Sequence, residues 1–128
     1  MHLSGPSAVH DATTAARSFA VENRLAPEEA ARLAIIVEEL VNNLYDHGGL
    51  GEADTFDLEV GLGGGEIRLV LVDGGAPHDP ALAVLPGDIP ARGGGAGLAL
   101  VRAWARQSHY RSTGDGNRLE LQLPLRRD

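Results

Sequence analysis

Residues 27–48 read PEEAARLAIIVEELVNNLYDHG, and their spacing decides what kind of fold can surround them. Pro27 suits a first helical position, Glu28 and Glu29 complement the positive end of a helix dipole, and Gly48 and Gly49 supply a stop, so a helix is predicted from Pro27 to His47. Leu33, Ile36, Val37, Leu40, Val41 and Leu44 recur at three- and four-residue intervals and form one apolar stripe. With Leu40 at the centre of the stripe and about 100° per residue, Glu38 and Asn42 point roughly 160° away, into water, while Glu39 lies about 100°, Asn43 about 60° and His47 about 20° from the centre. Three polar groups spaced four apart therefore climb onto the margin of a core. A carboxylate and an amide placed there are costly unless something satisfies them, which points to a ligand or a metal; hydrogen bonds to loop backbone are the plain alternative for any one of them. His47 has a further one, since a terminal histidine can meet the last carbonyls of its helix.

Upstream, Val9, Ala12, Ala16, Phe19 and Ala20 give a moderately amphipathic helix over Ser7 to Asn23. Downstream, Phe56, Leu58, Val60 and Leu62 alternate with polar residues, apolar density rises from Glu66 to Val72, and Gly63-Gly64-Gly65 joins the two as a strand hairpin. His78 to Gly97, rich in Pro, Gly and Ala, reads as a long loop. A helix is expected over Leu98 to Arg106, then strands over Ser108 to Thr113 and Leu119 to Leu125. The order helix, helix, strand, strand, loop, helix, strand, strand predicts an α+β two-layer sandwich with helices on one face of a mixed, mostly antiparallel sheet. At 128 residues the expectation is one domain over 1–128.

Two glycine-rich stretches flank the loop. Asp73-Gly74-Gly75-Ala76-Pro77 ends a strand; it is a turn by composition, or else a carboxylate that accepts from an exocyclic amino group beside glycines that let a flat base approach. Gly93-Gly94-Gly95-Ala96-Gly97-Leu98 leads into a helix, as a flexible linker or as a row of N–H groups that bind phosphate. Arg92, just before it, either pairs with a terminal phosphate or is solvated.

Composition removes other classes. A net charge of −7 argues against nucleic-acid binding. All basic residues are arginine, and without lysine no P-loop nucleotide enzyme can be built. There are no cysteines for disulfides or thiolate chemistry. No apolar run approaches the roughly 18 residues of a membrane span, and the first residues lack a secretory pattern, so a cytoplasmic protein is expected.

Three signals stand in order: Glu39-Leu40-Val41-Asn42-Asn43-Leu44-Tyr45-Asp46-His47-Gly48, then Asp73-Gly74-Gly75-Ala76-Pro77, then Gly95-Ala96-Gly97-Leu98. Together they resemble the N, G1 and G2 boxes of the GHKL ATPase superfamily, whose domain has the Bergerat-type ATP-binding fold, and the short chain is similar to the anti-sigma factor serine/threonine kinase branch. The resemblance implies that Glu39 is the general base and that Asn43 binds Mg²⁺ through its side-chain oxygen. It implies that Asp73 holds the adenine amino group with clearance from Gly75, and that Gly95 and Gly97 lie beneath the phosphates with the 78–94 loop as a lid. The whole nucleotide-contacting set is then Asn43, His47, Asp73, Gly75, Pro77, Arg92, Gly94, Gly95, Ala96, Gly97 and Leu98. This chain departs from the pattern in two places: Ala105-Arg106-Gln107-Ser108 lacks the acidic residue the branch tends to carry, and Gly116-Asn117 stands where Gly-Thr is common.

The function implied is an ATP-dependent serine/threonine protein kinase that binds a sigma factor and phosphorylates an anti-anti-sigma (STAS-type) protein, with ATP and Mg²⁺ as cofactors and a homodimer as one assembly it allows. Two alternatives stay open: a regulatory module that binds ATP without catalysis, and a detached histidine kinase catalytic domain.

Overall fold

The computed structural model describes residues 1–46, 50–51, 53–74, 96–113 and 116–125. Strand β2 (Thr55–Gly63) and strand β3 (Glu66–Asp73) form the hairpin the alternation predicts. Gly63 pairs with Glu66, leaving Gly64 and Gly65 as a two-residue loop with φ of 61° and 78°. Positive φ at both central positions matches the right-handed twist of the flanking strands, and glycine reaches it without a Cβ penalty.

Three further strands complete the sheet: β1 (His2–Ser4), β4 (Gln107–Thr113) and β5 (Gly116–Pro124), in the order β1-β2-β3-β5-β4. All four pairings are antiparallel. Edge strand β1 is not foreseen by the sequence, since three residues are too few for alternation to show. β5 begins three residues before the expected Leu119, because Gly116 and Asn117 extend the ladder to the end of β3.

Among the described residues three helices cover one face: α1 (Ala8–Glu22), α2 (Pro27–Asp46) and α3 (Ala96–Trp104). α1 buries Ala8, Ala12, Ala16 and Ala20, small residues one turn apart that let it lie close to its neighbours. Its end is a Schellman turn, with Leu25 N–H donating to the Ala20 carbonyl, Arg24 N–H to that of Val21, and Arg24 at φ 53° in the left-handed position usually given to glycine. α2 contributes the predicted stripe, all of it buried, and Val101 of α3 joins the same core. From the sheet come Phe56 and Leu58, Ile67, Leu69 and Leu71, then Leu119, Leu121 and Leu123. None of the described helices is long and apolar enough to cross a membrane.

The opposite face of the sheet carries charge. Arg68 and Arg118 both hydrogen-bond Glu120. Val70 stands between Glu59 and Glu120 in register and is buried although it faces away from the helices. That burial explains why β3 reads as a nearly continuous apolar run. Farther out, Arg111 lies directly opposite Arg118, two like charges across one ladder.

Arg68, and then Arg118, hold the Glu120 carboxyl below the ordinary glutamate range by hydrogen-bonding its charged form. A carboxyl depressed in the fold stabilises above its unfolded pKa, and that stability is lost as pH falls through the lower folded value. Stability should therefore drop as pH is taken below about 4.3, and Glu120→Gln should flatten that part of a denaturation-midpoint-versus-pH curve. An unchanged curve would dissociate the pair from acid stability.

Candidate functional site

Along α2 the structure puts the polar flank where helical geometry requires. Glu38 is exposed, whereas Glu39 is half-buried with its Oε1 enclosed. One turn on, Asn43 is 7% exposed, and its Nδ2 has no hydrogen-bond partner among the described residues. A buried amide donor left so costs about 1–3 kcal/mol unless a ligand or water completes it. Two residues farther, the Tyr45 ring meets Phe56 edge-on with centroids 6.3 Å apart. Phe56 is the cross-strand partner of Asp73. The last turns of α2 therefore lie over the end of the sheet at which β3 closes in Asp73.

At that end a row of inward-facing residues crosses four strands. Phe56 pairs with Asp73, Asp73 with Asn117, and Asn117 with Ser112. Asn117 is 3% exposed; its Nδ2 donates to Asp73 Oδ1 at 3.0 Å, and the Ser112 hydroxyl donates to its Oδ1 at 2.7 Å. Gly116, at φ 140°, backs against the Asp73 main chain so closely that a Cβ there would lie 2.5 Å from the Asp73 carbonyl oxygen. Gly116→Ala should accordingly lower stability by about 1–3 kcal/mol, read as a shifted urea midpoint. A midpoint equal to that of the parent chain would show that the approach is not enforced.

The third contributor is placed by its far end. Trp104 Nε1 donates to the Pro124 carbonyl at 2.6 Å, and Arg106 forks onto Glu66 with two bonds of 3.0 Å. Pro124 and Glu66 pair at the end of the sheet remote from Asp73. α3 is packed on α2 and finishes there, so its first turn, Ala96, Gly97 and Leu98, is directed toward the Asp73 end. A helix start offers unpaired N–H groups and a partial positive charge to an anion.

A carboxylate and an amide one turn apart, a pinned aspartate and a helix N-terminus thus share one end of the molecule. His47, Gly75, Pro77, Arg92, Gly94 and Gly95 lie outside the described residues. Asn117 and Ser112 escape a reading of the sequence as site residues. The only signal was the pairing of a glycine with a polar residue after the last turn, which composition alone explains as part of that turn. No three His, Asp or Glu side chains come together as a metal cage among the described residues.

Comparison with known proteins gives a consistent picture. The family profile of the histidine kinase-like ATPase domain matches residues 4–123. Among solved structures, a blue-light activated histidine kinase from Erythrobacter litoralis is similar over 79% of this chain and 32% of its own, at 19% identity and a TM-score of 0.58. The histidine kinase domain of that protein is similar over 75% of this chain and 44% of its own, at 22% identity and a TM-score of 0.54. This chain thus spans less than half the length of either. At these identities the likeness is one of fold. Comparison with curated proteins gives no match.

Proposed function

This chain belongs to the histidine kinase-like ATPase domain family, and from that premise we propose that it binds ATP with Mg²⁺ at the Asp73 end of the sheet and transfers phosphate to a serine or threonine of a partner protein. In this reading it is an anti-sigma factor whose substrate is an anti-anti-sigma protein. The observation that carries the nucleotide site is the buried Asn43 amide without a partner for Nδ2, one turn beyond Glu39 on a helix that ends over Asp73. The free NH₂ suits an acceptor such as a phosphate oxygen, and the oxygen of the same amide suits a hard cation that keeps most of its water and takes one protein ligand.

Each residue then has one task. Asn43 offers its side-chain oxygen to the cation, and Asp73 accepts a hydrogen bond from the adenine amino group. The first turn of α3 gives N–H groups to the phosphates. Magnesium-bound ATP supplies an activated phosphoryl group. Glu39 accepts the proton of the attacking hydroxyl, a base held at the rim of the core where water is scarce. The protein-kinase part of the reading rests on the resemblance of the three boxes to the anti-sigma factor kinase branch.

The test has two stages. Mg²⁺ and ATP at about 100 times Kd should stabilise the protein by about 2.7 kcal/mol in a thermal melt, and Asn43→Ala should remove most of that gain. Labelled ATP should then mark a serine or threonine of an anti-anti-sigma protein. ATP binding without any phosphoprotein would favour the non-catalytic module, transfer to a histidine the detached histidine kinase domain, and no stabilisation by ATP would end the proposal.

A further inference from the structure

The Asp73 carboxylate is held by residues on two neighbouring strands. An ionised carboxylate only accepts hydrogen bonds, so the Asn117 amide must turn its NH₂ toward it, as the 3.0 Å contact shows. That leaves the Asn117 oxygen facing β4, where the Ser112 hydroxyl donates to it at 2.7 Å. The chain of donors runs one way, from Ser112 through Asn117 to Asp73. Asn117 is 3% exposed, so water cannot readily take over either end. The close approach of Gly116 to the Asp73 main chain brings the two strands together at this level. Backbone register and side-chain bonds therefore fix the same carboxylate twice.

We propose that Asn117, oriented by Ser112, is a positioning and specificity-determining residue that holds Asp73 as a fixed hydrogen-bond acceptor, so that the site selects a purine with an amino group at C6 over one with a carbonyl there. This rests on the reading of Asp73 as a base-binding group. A 6-amino group donates to the carboxylate, whereas a 6-carbonyl sets two acceptors against each other. A carboxylate free to turn could instead accept from the N1–H that such a base carries. The amide donor removes that freedom by holding one rotamer.

ATP and inosine triphosphate differ only at C6 and in the proton that N1 carries beside a carbonyl, and their affinities for the intact chain and for Asn117→Ala can be compared by calorimetry. The intact chain should prefer ATP, and Asn117→Ala should reduce the ATP-to-ITP affinity ratio by about tenfold, chiefly through weaker ATP binding. Ser112→Ala touches no nucleotide in this scheme, yet should reduce the ratio in the same direction by about threefold; it carries the test alone if Asn117→Ala does not fold. A purely structural role would weaken both nucleotides equally. An unchanged ratio in the variants, or an intact chain that binds ATP and ITP alike, overturns the inference while leaving the nucleotide site standing. An intact chain that binds neither overturns the site itself and the inference with it.

Discussion

Glu39→Gln is expected to slow phosphoryl transfer to a protein hydroxyl by about 10²–10⁴-fold while changing ATP affinity by less than about threefold. The two side chains have nearly the same shape, so the half-buried position on α2 and its enclosed Oε1 environment are preserved. What disappears is the capacity to accept a proton. An interaction made only as the hydroxyl attacks lowers the rate of the chemical step and spares ground-state binding. Single-turnover labelling under saturating ATP, with affinity measured separately, distinguishes the two effects. Equal single-turnover rates for parent and variant would remove Glu39 from the reaction, and a parallel loss of ATP affinity would make it a binding residue.

Asp73→Ala should weaken ATP by about 10–100-fold, the range expected when a charged acceptor of a hydrogen bond is deleted. A second effect follows from the structure. Asn117 Nδ2, which donates to Asp73, would lose that acceptor in a position 3% exposed. Losing a buried hydrogen bond to a charged acceptor costs about 1.5–3 kcal/mol, so the variant should also be less stable without any nucleotide. Calorimetry and urea denaturation read the two consequences independently. Affinity for ATP within twofold of the parent, by about the error of such comparisons, would show that Asp73 does not meet the base.

The helical half of the fold was legible because its signals are local. The stripe on α2 and the proline at its start each depend only on residues a turn or two away, and the alternation of β2 with its glycine turn is as local. β1 was not legible, since three residues held mainly by a partner 55 positions away carry no period of their own. The extension of β5 to Gly116 is likewise a property of the ladder with β3. In the site, helical angles alone placed Glu39 and Asn43 on one flank, and the burial of Asn43 agrees with that placement. That Asn117 and Ser112 stand beside Asp73 could not be read, because register between strands separated by the long loop and α3 is set by packing in three dimensions.

The facing pair Arg111 and Arg118 gives the outer hairpin an unusual dependence on ionic strength. Dissolved salt screens exposed charges farther apart than a Debye length, about 10 Å at 0.1 M but about 3 Å at 1 M, so molar salt should relax the repulsion between β4 and β5 while loosening the Arg68–Glu120–Arg118 ladder beside it. Amide exchange should slow along β4 and quicken along β3 as chloride is added, two strands of one sheet responding to the same solvent change in opposite senses.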